Sequence, residues 1–397
     1  KGNLGMTLWH ELSHVFHIGL SESRVPRWLT EGLAEWETAR VDRGWSRELD
    51  LELFRALRDE RLPEIGRFNR AFSHAESMTD IAIAYHASKR IADFIVATRG
   101  QATVVRLLAE FGKKRLPDDV LPEVLGASFA DLDREFRAWL LGEYASYEKQ
   151  FVSRLPRAPL EELAARANAK NASHDDRVQY GLGLFRDSRI GEAEKILSAA
   201  IAERPSPLAS FFLARAWLAQ GQKDVAIGLV KNAIRSGADG YEMRMLLARV
   251  FASDQNWKAA LPEAVAASEF DRTQADAWSL RAAATHELGD VDGEVAALSG
   301  WVDLSEHDGE LHRRLLELLL GARRYDEAAR VADRAIWAGL GEFATHRLTA
   351  LAFALAKREA RATYERQTAT LLATSPEERA QLERDATDIA LQLAATR

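Results

Sequence analysis

One position recurs along the second half of the chain at intervals of 33 or 34 residues. It is alanine in all but one case, and a second, mostly small position follows each occurrence by seven residues. The first set is Ala193, Ala226, Ala260, Glu294, Ala328 and Ala362, and the second is Ala200, Ala233, Ala267, Trp301, Ala335 and Ala369. A fixed period of this length predicts one helical hairpin per repeat, with small side chains where helices cross. The period therefore constrains this part of the chain to a stack of helix pairs.

Turn sequences separate the predicted helices, for example at Leu288-Gly289-Asp290. With its 34-residue period, the array resembles the tetratricopeptide repeat (TPR) family, most closely in the repeat that carries Trp278 and Ala282. The resemblance implies an α-solenoid over residues 176–372 whose concave face binds a protein partner. The alternative is that the array only stabilises or spaces another domain. Ser375 to Glu378 is a capping box, which predicts a final covering helix within residues 373–397.

The first part of the chain carries His10-Glu11-Leu12-Ser13-His14, an HExxH motif. Positions four apart share one face of a helix, so both imidazoles can bind one zinc ion. Zinc lowers the pKa of a coordinated water to about 7, and the Glu11 carboxylate can then take its proton as general base. Apolar residues flank the motif at helical spacing, so the sequence predicts a largely buried helix. The alternative is a His-bearing surface helix.

A second helix is predicted from Arg27 to Val41, opened by Pro26. Its Trp28-Leu29-Thr30-Glu31-Gly32-Leu33-Ala34 run and the HExxH helix resemble the gluzincin metallopeptidases, most closely the bacterial peptidase MA-like group. Leu20 stands where metzincins carry a third histidine, which excludes that class. The gluzincin resemblance covers roughly residues 4 to 150 and implies Glu31 as third zinc ligand and Glu35 as a partner of the ligand histidines. Two alternatives stay open, namely Glu35 as the ligand and both carboxylates on a solvated helix face.

Three further positions are candidates for the site. His17 lies on the stripe of His10 and His14, either as a fourth metal contact or as a core or supporting histidine. The gluzincin resemblance matches Tyr85, on a predicted helix from Asp80 to Val96, to a tyrosine that donates a hydrogen bond to the developing oxyanion; the alternative is packing on an apolar face. His74 and His86 are weaker candidates and are expected to be exposed or structural.

Composition narrows the remaining possibilities. The formal net charge is −7, so nothing indicates a nucleic-acid partner. No apolar run approaches the 18 residues that a membrane span needs. The chain has no cysteine, which excludes disulfides and thiolate metal sites. This absence is consistent with an exported bacterial protein, although cytoplasmic proteins can lack cysteine too. The gluzincin resemblance also implies a β-subdomain before the HExxH helix, so the chain is expected to be a fragment of a longer protein.

Together these features predict an all-α chain. Residues 1–150 form a helical gluzincin domain, 151–175 a linker, 176–372 the TPR array and 373–397 the capping helix. The predicted function is zinc-dependent hydrolysis of a peptide or protein substrate, with a protein partner bound by the array. A hydrolase acting on another substrate stays possible. The alternative from another class is a TPR adaptor whose peptidase-like domain is inactive.

Overall fold

The computed structural model describes residues 4–46, 49–75, 77–305 and 307–395. Helices make up 77% of the structure, and no strand occurs in these ranges. The all-α prediction is therefore confirmed. None of the described helices is both long enough and apolar enough to cross a bilayer.

The chain divides into two compact units. The first comprises residues 1–142 and 290–397, and the second comprises residues 143–289. The first unit begins with eight helices: α1 (Leu4–Leu20), α2 (Arg27–Val41), α3 (Asp50–Arg58), α4 (Arg70–Ser73), α5 (Met78–Arg99), α6 (Gln101–Gly112), α7 (Pro117–Leu125) and α8 (Phe129–Glu143). Short 3-10 helices lie at Arg43–Trp45 and Ile65–Arg67.

The second unit contains the first helix pairs of the array. Its helices are α9 (Ala145–Glu148), α10 (Leu160–Ala167), α11 (His174–Arg186), α12 (Ile190–Glu203), α13 (Pro207–Ala219), α14 (Lys223–Arg235), α15 (Tyr241–Ser253), α16 (Trp257–Phe270) and α17 (Ala275–Glu287). Helix α10 lies within the stretch predicted as a linker. The later helices, which belong to the first unit, are α18 (Val291–Val302), α19 (Gly309–Gly321), α20 (Tyr325–Ala338), α21 (Phe343–Leu355), α22 (Glu359–Leu372) and α23 (Pro376–Ala395).

Burial confirms the predicted repeat register at the first five positions, whereas Ala362 in the sixth is only half-buried. Ala193, Ala260 and Ala328 are fully buried on the second helix of their pairs, as small residues at helix crossings must be. Glu294, which breaks the alanine pattern, is also buried, and its Oε1 accepts a hydrogen bond from Arg314 at 3.0 Å. The departure therefore replaces a small apolar contact with a paired charge. The predicted capping box is confirmed too, since Ser375 and Glu378 each accept a hydrogen bond from the other's backbone N–H.

Helices α1, α2 and α5 position the motifs of the first part. The predicted bounds of α2 are confirmed, because Pro26 occupies its N-cap and the helix runs from Arg27 to Val41. Helix α5 begins at a Ser77 cap and ends at Gly100, whose φ of +81° favours glycine. Helices α2 and α5 cross at Gly32, where a Cβ atom would lie 2.3 Å from the carbonyl oxygen of Ser88. The glycine after Glu31 therefore lets the two helices meet backbone to backbone.

A candidate metal centre on two helices

The packing of α1 against α2 brings together three of the predicted residues, His10, His14 and Glu31. Nε2 of His14 lies 3.2 Å from Nε2 of His10 and 3.4 Å from Oε2 of Glu31, and Nε2 of His10 lies 3.6 Å from the same oxygen. Each donor atom thus faces the other two. His10 and His14 meet because residues four apart share a helix face, and Glu31 reaches them from the first turns of α2.

The outer ring nitrogens of the two histidines face other side chains. Nδ1 of His14 lies 2.8 Å from Oγ1 of Thr30, and Nδ1 of His10 lies 3.6 Å from Oε1 of Glu35. Glu35 is therefore beside a candidate ligand histidine, at a distance longer than a hydrogen bond. Sequence reasoning missed Thr30, although its place directly before Glu31 on the helix facing α1 was a usable signal.

Thr30 makes hydrogen bonds to two histidines, and the tautomer of His14 determines which group is the donor in each. When the Nε2 lone pair of His14 points into the cluster, Nδ1 of His14 carries the proton and donates a hydrogen bond to Oγ1 of Thr30. The Thr30 hydroxyl then donates to Nδ1 of His17 at 3.4 Å. Burial and the neighbouring His14 lower the pKa of His17 to about 4, which keeps its ring neutral and able to accept. His17 thus supports the cluster through Thr30.

The charged groups of the cluster are largely shielded from solvent, because the side chains of His10, His14 and Glu31 are only 16, 17 and 14% exposed. Burial raises the pKa of Glu31, but hydrogen bonds with His10 and His14 outweigh this and lower it to about 2. The hydrogen bond with Glu31 raises the pKa of His10 more than burial lowers it. Each group thus stabilises the charged form of its neighbour, and the donor atoms of all three converge, as the ligands of a cation do.

A line of contacts runs from Glu31 towards Tyr85. Nε of Arg27 lies 3.6 Å from Oε1 of Glu31, and its guanidinium lies 5.0 Å from the centre of the Phe72 ring. The edge-to-face pair of Phe72 and Tyr85 has a centroid distance of 5.2 Å. Tyr85 is half-buried in α5, and its ring is connected to Glu31 through Phe72 and Arg27.

Helix α1 is more exposed than its sequence predicts. Only Ser13 and His17 are buried, whereas Leu8, Val15 and Phe16 are 58, 64 and 62% exposed. The prediction of a largely buried helix is wrong, because packing on α2, α6 and α20 leaves most side chains of α1 exposed. Glu11 is also exposed, one residue from the His10 stripe.

A groove of about 310 Å³ lies between α1, α2 and α6. Its walls are mainly apolar, with His17 and Ser13 among the polar residues; the apolar lining includes Trp9, Leu12, Phe16, Trp36, Val105 and Leu108. Side chains advance by about 100° per residue along a helix, so Trp9 and Glu11 lie on opposite sides of the His10 stripe. The groove is therefore separate from the side of α1 where Glu11 stands.

The other histidine candidates lie apart from the cluster as structural or surface groups. His74 is exposed, and its Nδ1 lies 2.9 Å from Oγ of Ser73. His86 is buried in α5, with Nε2 2.7 Å from Oδ1 of Asp50. Both outcomes agree with the expectation that these two histidines are exposed or structural.

The family model "Tetratricopeptide repeat" matches residues 179–231 and 218–272. These residues are tetratricopeptide repeats. The match covers α11 to α16, except for the first residues of α11. The alanine period predicts helix pairs in this same part of the chain. No curated protein sequence matches the chain significantly. TPR units are protein-interaction modules. This match supports the prediction of a TPR array.

Solved structures resemble parts of the chain at low identity. YrrB, described as a TPR protein with an unusual peptide-binding site, is 13% identical, with 47% of this chain and 96% of YrrB covered and a TM-score of 0.39. MamA from Desulfovibrio magneticus RS-1 is 16% identical, with 44% and 99% covered and a TM-score of 0.35. PilF of Pseudomonas aeruginosa is 14% identical, with 53% and 97% covered and a TM-score of 0.32.

Proposed function

We propose that this chain is a zinc-dependent hydrolase of peptide bonds that also carries a TPR array for binding a protein or peptide. The observation that carries the zinc proposal is the spacing of three donor atoms, which lie 3.2, 3.4 and 3.6 Å apart. Ligand atoms about 2.0–2.2 Å from a tetrahedral zinc lie about 3.3–3.6 Å from one another. Two imidazoles and one carboxylate are also a known catalytic zinc set.

The chain's own residues have separate tasks in this proposal. His10, His14 and Glu31 would hold the zinc, while Thr30 and Glu35 orient the two imidazoles. When bound, zinc acts as a Lewis acid on the scissile carbonyl and on water. Glu11 accepts a proton from the attacking water, for which its exposed position beside His10 is suitable. Tyr85 donates a hydrogen bond to the oxyanion, and its contacts through Phe72 and Arg27 support a place at this side of the cluster.

The test separates metal binding from catalysis. Glu11→Gln should keep about one equivalent of zinc and lose hydrolysis of a casein-type substrate by about 10²–10⁴-fold. Glu22→Gln, a change of an exposed carboxylate in the loop after α1, is the matched control and should leave both unchanged. Full activity in the zinc-loaded Glu11→Gln chain would contradict the mechanism.

A second candidate function is a TPR adaptor whose first part has no catalytic role. The family match to residues 179–272 supports binding directly. The proximity of Arg27 to Glu31 also favours this candidate, because a guanidinium competes with a metal for the carboxylate. Less than a tenth of an equivalent of zinc in the purified chain, even after dialysis against micromolar zinc, would support the adaptor and contradict the hydrolase.

A further inference from the structure

Residues 150–158 follow an extended path over the first helices of three successive repeats. At one end, the Phe151 N–H donates to the Asp239 carbonyl at 2.8 Å. At the other end, Arg186 donates to the carbonyls of Pro156 and Ala158 at 2.7 and 3.0 Å. Asp239 lies two residues before the start of α15, and Arg186 ends α11. The segment therefore crosses the array instead of running along one helix.

The array holds this segment as a peptide ligand would be held. The two carboxylate oxygens of Glu242, on α15, accept from the backbone N–H and the hydroxyl of Ser153. The guanidinium of Arg186 binds two backbone carbonyls of the same segment. One acidic and one basic side chain thus satisfy donors and acceptors of an extended main chain, as in other modes of peptide recognition.

One side chain of the segment enters the array. Phe151 packs against the hydrophobic core that includes Phe211 of α13, with ring centroids 5.3 Å apart. Gly240 makes room beneath it, because a Cβ atom there would lie 2.9 Å from both N and O of Phe151. In contrast, Arg154 and Arg157 are exposed. The contacts therefore select an aromatic residue and, two positions later, a hydroxyl.

We propose that α11, α13 and α15 form a peptide-binding groove that residues 150–158 occupy in cis, and that a partner protein binds by displacing them. The partner contributes an extended segment with an aromatic residue followed two positions later by serine or threonine. Covalent attachment gives the segment an effective concentration in the millimolar range, so it competes with any free peptide. This inference rests on the proposed binding role of the array and is independent of the zinc proposal.

The experiment uses the chain's own sequence as the probe. A fluorescein-labelled peptide of residues 149–159 is titrated into the full chain and into a Phe151→Ala, Ser153→Ala double variant, and anisotropy is measured. The double variant has a weakened cis segment, so it should bind the peptide at least tenfold more tightly than the unaltered chain. Adding Glu242→Gln should reduce this affinity at least tenfold, whereas the exposed control Asp224→Asn should not change it. A peptide with alanine at both altered positions should bind at least tenfold more weakly.

Amide hydrogen exchange on the unaltered chain tests displacement without any substitution. Saturating peptide should accelerate exchange at residues 150–153, because the Phe151 and Ser153 amides leave their acceptors. Absence of peptide binding by a double variant with unchanged helix content would overturn the inference, as would unchanged exchange at these amides once peptide is bound. Neither result affects zinc content or hydrolysis, so failure here is distinguishable from failure of the hydrolase proposal.

Discussion

Oγ1 of Thr30 lies 2.8 Å from Nδ1 of His14. The contact fixes the ring of a candidate metal ligand from the neighbouring helix and leaves its Nε2 free to face His10 and Glu31. Supporting contacts of this kind set the tautomer and orientation of ligand histidines, and their loss typically costs 10–100-fold in metal affinity.

Thr30→Val should therefore weaken zinc binding by about 10–100-fold, because it removes the hydroxyl while keeping the shape of the side chain. Thr30→Ser retains the hydroxyl and is the matched control. Zinc affinity can be measured by competition with a chromogenic chelator. Equal affinity in the valine and serine variants would show that the hydroxyl has no part in the site.

Zinc binding should weaken as the pH falls, beginning above the ordinary histidine pKa of about 6.5. The hydrogen bond with Glu31 raises the pKa of His10, so a proton competes with zinc for this nitrogen at a higher pH than it would at an ordinary histidine. Below the raised pKa, the affinity should fall by about tenfold per pH unit for this group alone.

In the chain without zinc, the contribution of His10 to folding stability should have the opposite pH dependence and grow as the pH falls. A raised pKa in the folded state contributes stability that is complete below about pH 6.5 and is lost as the pH rises through the folded value. Thermal unfolding with and without zinc at pH 6.5 and 8 measures both effects.

Glu35→Gln removes one charge that raises the pKa of His10, so the fall in zinc affinity should move to lower pH. Equal zinc affinity at pH 8 and pH 6 would be incompatible with this account.

Gly32→Ala should destabilise the first unit by about 1–3 kcal/mol or more, since the new Cβ would meet the backbone of Ser88 at 2.3 Å. The variant should also weaken zinc binding, because Glu31 is the preceding residue on α2. Gly19→Ala in α1 meets nothing within 4 Å and should instead stabilise its helix by up to about 1 kcal/mol. Urea unfolding followed by circular dichroism compares the two, and an unchanged midpoint for Gly32→Ala would mean that α2 and α5 do not cross as described.

Glu365→Ala should lower the free energy of unfolding by about 3–5 kcal/mol, because it breaks the buried pair with His346 and leaves that imidazole without its partner. Nδ1 of His346, on α21, lies 2.6 Å from Oε2 of Glu365, on α22, and both residues are buried. Glu383→Ala on the exposed side of α23 is the control and should change stability by less than about 0.5 kcal/mol. Denaturant unfolding compares the midpoints of Glu365→Ala and Glu383→Ala. Similar midpoints would count against a structural role for the His346–Glu365 pair.

Much of the fold could be predicted because its signals are local or periodic. The bounds of α2 follow from Pro26 and a helical pattern, and the repeat register follows from alanines such as Ala193 and Ala260 that helix crossings keep small. The apolar pattern of α1 did not predict its exposure, because periodicity shows which side of a helix can be buried and not how many neighbours cover it. Thr30 was missed for a related reason, since its role depends on which helix lies opposite.

The sequence by itself determined the helix-pair period and the His10–His14 spacing, because both are consequences of helix geometry along one segment. Only the tertiary structure decided that Glu31 reaches the two imidazoles to within 3.4 and 3.6 Å, that Thr30 orients His14, and that residues 150–158 lie across the array. These relationships join segments that are distant in sequence, and they form only when helices pack and when an extended segment has no regular structure of its own to satisfy its backbone.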